Sequence, residues 1–269
     1  MGNRKPIGVF DSGIGGLTVV REMLKEMPGE RIIYLGDTAR YPYGSRSEQA
    51  IRAMAGECAG YLVDRDVKMM VVACNTATAY AFEHLKERFR HIPFVGVIEP
   101  CTTAVAEHIR EGKVGIIGTE GTIACGVYER KIRQLCPAIE TVARACPLLV
   151  PLAEEGVLDG PILDHVLDLY LRPLKKSGIR ALILACTHYP FFRKKIERYF
   201  DDKVFVLDSA SWTAKSVQMA LKMNFITSGT GRVKPGAHRF LVTDYPEKFR
   251  KAAGLFLGQD LAGVEKISL

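Results

Sequence analysis

Short apolar runs recur along this chain, each running into small or polar residues and then into a segment with helical spacing. Residues 6–10, 31–36, 68–73 and 93–97 read as strands, and 17–27, 47–63, 76–90 and 99–110 as helices. A continuous apolar run marks a strand buried on both faces, as in a parallel sheet covered by helices. Strands and helices alternating at these lengths predict right-handed βαβ units, hence an α/β fold with mostly parallel sheets flanked by helices.

The pattern restarts at 113–118. Gly8-Val9-Phe10-Asp11-Ser12 is echoed by Gly115-Ile116-Ile117-Gly118-Thr119, 107 positions on. Val72-Ala73-Cys74-Asn75-Thr76 is echoed by Leu184-Ala185-Cys186-Thr187-His188, 112 positions on. Similar offsets arise by chance in α/β chains, but their coincidence with the two cysteines favours duplication into two similar halves. After residue 208 come a helix (211–223), a turn-rich stretch (227–236), a strand (238–243), a helix (246–257) and a last short strand. This tail has no counterpart in the middle of the chain. It is expected to return to the first domain, giving one discontinuous domain over 1–98 plus 209–269 and a second over 99–208.

Composition narrows the function classes. A chain of 269 residues supports a sizeable core, and 48% apolar with 25% charged residues is ordinary for a soluble globular protein. No apolar run approaches the roughly 20 residues of a membrane span, and no signal-peptide apolar region precedes the first strand, so a cytoplasmic location is expected. Seven cysteines without a C-x-x-C pair argue against both a disulfide framework and structural zinc. Most of them, Cys58 among them, read as small buried hydrophobes. The net charge of +7 sits mostly after residue 210, where nine Lys and Arg face four Asp and Glu. No basic run or nucleic-acid motif accompanies it, so a solvated surface is favoured over nucleic acid, with modest attraction of an anionic substrate as a second use.

Three segments fall at the carboxyl ends of strands, where open α/β sheets place ligands. Asp11-Ser12-Gly13-Ile14-Gly15-Gly16 lacks both the dinucleotide and the P-loop spacing. It offers a carboxylate and backbone N–H groups near a helix start, although Asp11 as a simple helix cap is the blander reading. The loop 36–45 is polar and rich in turn residues, and by itself reads equally well as surface. Cys74 and Cys186 each have polar side chains next to them, and a helix N-terminus or a nearby cation lowers a thiol's pKa. Asp11 is placed to orient Cys74 or accept its proton, and His188 to relay protons for Cys186. A lone strand-end cysteine is more often filler than a catalyst; two in matching settings shift that balance strongly toward chemistry. Paired thiols suit inversion at carbon, one removing a proton from one face and the other returning one to the opposite face. Glu154, after the apolar run near Val150, reads by itself as a loop carboxylate within reach of His188 or a substrate ammonium.

Taken together, Asp11–Gly16, Gly36-Asp37-Thr38, Tyr41-Pro42-Tyr43-Gly44, Ala73-Cys74-Asn75-Thr76-Ala77, Val150-Pro151, Glu154 and Ala185-Cys186-Thr187-His188-Tyr189-Pro190 resemble the glutamate racemases of the aspartate/glutamate racemase superfamily. The resemblance runs in order through most of the chain. It implies two pseudo-symmetric α/β domains with the active site in the cleft between them, and cofactor-independent interconversion of L- and D-glutamate that supplies D-glutamate for peptidoglycan. It further implies that Cys74 deprotonates D-glutamate with help from Asp11, and that Cys186 deprotonates L-glutamate with help from Glu154 and His188. Asp11, Ser12, Tyr43, Gly44, Asn75, Thr76, Thr119, Thr122, Thr187 and His188 match substrate-binding positions. No metal or pyridoxal phosphate is implied, a homodimer is, and the short lead before the first strand predicts no activation by a cell-wall precursor. The rivals are an aspartate racemase, a single-thiol hydrolase or lyase using one cysteine with His188, and a two-lobed binding protein for acidic ligands.

Overall fold

The computed structural model describes residues 3–228, 231, 233–261 and 263–269, so part of the turn-rich stretch expected over 227–236 lies outside the described residues. In chain order the first elements are β1 (Ile7–Asp11), α1 (Leu17–Glu26), β2 (Ile32–Gly36), α2 (Glu48–Val63), β3 (Met69–Val72), α3 (Asn75–Arg88) and β4 (Phe94–Gly96). There follow α4 (Ile98–His108), β5 (Gly112–Gly118), α5 (Glu120–Cys125), α6 (Val127–Leu135), β6 (Ile139–Ala145), α7 (Leu149–Glu154), α8 (Pro161–Ser177), β7 (Ile179–Ala185), α9 (Arg193–Tyr199) and β8 (Phe205–Asp208). The chain closes with α10 (Ser209–Met223), β9 (Arg239–Val242), α11 (Pro246–Leu257) and β10 (Glu265–Lys266).

Packing groups these elements into two compact units, Met1–Val97 with Ala210–Leu269, and Ile98–Ser209. The first holds a six-stranded sheet of order β10-β9-β2-β1-β3-β4, the second a four-stranded sheet of order β6-β5-β7-β8. Every pairing in both sheets is parallel. Set β5 against β1 and the orders coincide: second, first, third, fourth strand. The duplication read from the two echoes is therefore a duplication of topology, with β9 and β10 added at the β2 side of the first sheet only.

The central strands of the first sheet form where they do because they are mainly apolar and buried. All four residues of β3 are buried, as are all five of β1 and of β2. Removing each large apolar side chain from water contributes about 1.5–3 kcal/mol, so these runs commit their segments to a covered sheet. Each unit has its own core. One gathers Phe10, Leu35, Ile51, Leu62, Val72 and Leu85; the other gathers Ile117, Leu167, Leu171, Leu182, Leu184 and Phe192.

In each sheet the chain goes from the first strand to one neighbour, then returns to the first strand's other side. The crevice at that reversal, beyond the carboxyl ends of the first and third strands, is the expected ligand position. In the first unit Asp11 ends β1 and Cys74 follows β3. In the second, Gly118 ends β5 and Cys186 follows β7.

Candidate active site

In the first unit Cys74 occupies the N-cap of α3, and its Sγ accepts from the Ala77 N–H at 3.4 Å. The thiol also donates to Ser12 Oγ at 3.6 Å. Asn75 and Thr76 form the first turn of α3 and are buried with Asp11, Ser12 and Cys74. Burial, reinforced by the negative charge of Asp11, pushes the Cys74 thiol up to about 12 against the Ala77 N–H and the Ser12 contacts that favour the thiolate. The helix N-terminus expected to lower this thiol's pKa is present but outweighed. At neutral pH Cys74 bears its proton.

Asp11 is not a helix cap. The N-cap of α1 is Gly16, without a side-chain bond, whereas Asp11 Oδ1 accepts from the Gly13 N–H at 2.8 Å inside the turn. The turn is further tied by the Tyr34 hydroxyl, which donates to the Gly13 carbonyl at 2.9 Å. Asp11 therefore stays beside the thiol rather than being spent on the helix.

The loop after β2, which by itself reads equally well as surface or as function, is anchored in the core. Tyr43 is fully buried, its hydroxyl donating to Asp37 Oδ2 at 2.5 Å and lying 3.8 Å from Cys58 Sγ. The Tyr43 side chain is thus committed to the core, so a ligand here would meet the backbone of Tyr43 and Gly44, which open a short 3-10 turn ending at Ser45. Asp37 is fully buried immediately after β2, and a carboxylate in that place marks itself in the sequence because it needs partners.

In the second unit Cys186 Sγ lies 3.8 Å from His188 Nδ1, and His188 Nε2 lies 3.1 Å from Glu154 Oε1. Cys186, Thr187 and His188 are buried, and Glu154 is partly exposed. Burial opposes a charge on His188, but its bonds to Cys186 and Glu154 overcome this and raise its pKa to about 10. The imidazole is thus held protonated between the thiol and the carboxylate. Glu154 is the last residue of helix α7, not a loop residue, and the helix aims it at His188. The segment after the thiol is pinned by the Tyr189 hydroxyl, which donates to the Cys146 carbonyl at 2.8 Å.

Thr119 caps α5: its Oγ1 accepts from the Thr122 N–H at 3.3 Å and lies 2.9 Å from the Thr122 hydroxyl. This cap stands in the second sheet where the Asp11 turn stands in the first. Within the first unit, then, Asp11, Ser12, Cys74, Asn75 and Thr76 gather at one strand edge, with Tyr43 and Gly44 on the loop beyond β2. Within the second, Cys186, Thr187, His188 and Glu154 gather at the equivalent edge, with Thr119 and Thr122 after β5. Among the described residues no group of three or more His, Cys, Asp or Glu is arranged to hold a metal ion.

A parallel α/β unit used twice, with a thiol after the third strand of each copy, defines the class: a duplicated α/β protein. The chain belongs to the Asp/Glu/hydantoin racemase family, whose model matches residues 7–217. It is 44% identical over 265 residues to the glutamate racemase of Geobacter metallireducens, covering 98% of this chain and 97% of that protein. The glutamate racemase of Francisella tularensis, solved in complex with D-glutamate, superposes with a TM-score of 0.91 at 37% identity, covering 98% of each chain. A Bacillus anthracis glutamate racemase isoform gives a TM-score of 0.94 at 35% identity over 99% of this chain and 98% of that one.

Proposed function

We propose that this protein is a glutamate racemase, interconverting L- and D-glutamate by direct proton transfer between two cysteines and the α-carbon, without a cofactor. The observation that carries the reading is the equivalence of Cys74 and Cys186. Each follows the third strand of a sheet of the same order, and each has an ionisable partner of different kind. The near full-length relatives named for glutamate support the substrate, in preference to aspartate.

One thiolate takes the α-proton, forming S–H as the C–H bond breaks and leaving the electron pair on the α-carbon. The other thiol delivers its proton to the opposite face and becomes the thiolate. The protein thus ends one turnover with its proton on the other sulfur, ready for the opposite enantiomer. Starting from L-glutamate, Cys186 removes the proton and Cys74, protonated beside Asp11, returns one to the opposite face. His188, held protonated by its bonds to Cys186 and Glu154, places a positive charge next to Cys186. The hydroxyls and backbone N–H groups of Ser12, Asn75, Thr76 and Thr187, with the backbone at Tyr43 and Gly44, hold the substrate's charged groups. The side chains of Thr119 and Thr122 add to this from the second unit. The single-thiol rival leaves one of two matched thiols idle.

No described helix is long and apolar enough to cross a membrane. A cytoplasmic homodimer supplying D-glutamate for peptidoglycan, with no role in nucleic-acid binding, completes the reading. The test is to incubate the protein, free of added cofactor, with each enantiomer of glutamate in D2O. Deuterium entering the α-position together with decay of the circular dichroism signal is expected. Absence of both with glutamate would refute the assignment, and turnover of aspartate instead would move it to that substrate.

A further inference from the structure

The loop carrying Tyr43 and Gly44 is held from a distant part of the chain. Where β9 ends, Thr243 and Asp244 clasp Asp37, Thr38 and Ala39 by four hydrogen bonds. Thr38 Oγ1 donates to the Asp244 carbonyl at 2.6 Å and accepts from the Asp244 N–H at 2.8 Å. Thr243 Oγ1 accepts from the Ala39 N–H at 2.8 Å and donates to Asp37 Oδ1 at 2.9 Å. Each hydroxyl therefore uses both its donor and an acceptor site on the other segment. The Thr243 N–H continues the sheet by bonding the Gly36 carbonyl at 3.1 Å.

Asp37 passes the constraint onward. Its other oxygen accepts from the Tyr43 hydroxyl at 2.5 Å and from Arg40 Nε at 2.7 Å. A continuous chain thus runs from Thr243 through Asp37 to Tyr43, in which Asp37 and Tyr43 are buried and Thr243 half-buried. The second unit has nothing comparable: β6, the counterpart of β2, is an edge strand there. The added strand joins the first sheet on the side where this loop leaves it.

We propose that Thr243 and Thr38 are positioning residues for the reaction. Through them the C-terminal strand presets the backbone at Tyr43 and Gly44 to receive the acidic amino-acid substrate. The proposal rests on the racemase reading above. Neither hydroxyl contacts a thiol, so their contribution falls on binding shared by ground and transition states rather than on proton transfer.

The experiment compares wild type with Thr243→Val, Thr38→Val and Thr243→Ser, reading KM and kcat for both enantiomers and hydrogen exchange of the amides of residues 38–45. The valine variants are expected to raise KM about five- to tenfold for both enantiomers, the scale of one to two lost hydrogen bonds. They should leave kcat within about twofold and speed exchange in the loop, while Thr243→Ser restores wild-type values. Unchanged KM in both valine variants, or a fall in kcat at constant KM, overturns the proposal. Should one valine variant fail to fold, the other and Thr243→Ser decide. A wild-type protein that turns over no glutamate refutes the racemase reading instead. Loop exchange then judges the clasp by itself, faster exchange in the valine variants upholding it and unchanged exchange overturning it.

Discussion

Cys74 and Cys186 have the same place in their sheets and opposite electrostatic settings, so they should fail differently. Replacing either with serine is expected to lower kcat/KM by about 10²–10⁴-fold, the usual contribution of a positioned acid or base; a coupled polarimetric assay checks this. Enantiomers have equal free energies in water, so kcat/KM must stay equal in the two directions for every variant. Asymmetry must appear elsewhere. In His188→Asn, proton removal by Cys186 becomes the slower step, so the α-deuterium isotope effect should grow for L-glutamate and shrink for D-glutamate. Asp11→Asn should show the reverse, and parallel responses would sink the division of labour. His188 also links stability to pH. Its pKa rises from 6.5 to about 10 in the folded protein. Its contribution to stability is therefore complete below pH 6.5 and lost as pH rises through 10. Denaturant titrations across that window should show the decline, and His188→Asn should flatten it.

At the level of elements, the sites depend on how strands hand over to helices. Serine, threonine, aspartate and asparagine are the favoured N-caps, and α2 and α5 follow the rule with Ser47 and Thr119. Helix α3 breaks it by placing Cys74 there. A thiol in a capping position is a local departure of the kind functional sites impose, and it was visible in the sequence once β3 was recognised. The turn after β1 is equally demanding. A Cβ on Gly16 would stand 2.6 Å from Asp11 Cβ and 3.0 Å from both Ala73 Cβ and the Tyr34 hydroxyl. Gly16→Ala is therefore expected to cost about 1–3 kcal/mol of stability through overpacking, measurable by urea unfolding. It should also lower kcat, because the nearest displaced atom belongs to Asp11. Normal kcat in a folded Gly16→Ala protein would show that Asp11 tolerates displacement.

For the molecule as a whole, the return of the chain after α10 matters most. Lys68 and Glu30 form a buried ion pair at 2.5 Å, and Ser228 donates to Glu30 through its N–H and hydroxyl, both at 2.7 Å. Lys68 also donates to the Asn3 carbonyl and to Ser228 Oγ. One cluster thus joins the start of the chain, the approach to β3 and the segment after α10. Lys68→Met leaves the Glu30 carboxylate buried without its cation, and should cost about 3–5 kcal/mol. Adding Glu30→Gln should recover part of that loss in thermal melts. If the single variant melts like wild type, the cluster contributes nothing to holding the returning segment.

The α/β class, the two matching halves and the pair of thiols were legible because they follow from local rules: uninterrupted apolar runs make buried parallel strands, and polar residues at their ends mark the ligand edge. What supports these groups and which protons they hold were not, because that depends on which residues meet after folding. Glu154 was within reach of His188 on the sequence, but the helix end that aims it there, 34 positions away, was presented by the sequence alone as a loop. Cys74 keeps its proton because burial beside Asp11 outweighs the helix N-terminus, a balance of desolvation against dipole that no spacing reveals. Thr243 meets Asp37 across 206 positions only because β9 pairs with β2. Pattern along the chain dictates which elements form and where chemistry can sit. Solvent exclusion and contacts between distant segments dictate which proton each side chain holds and what holds it in place.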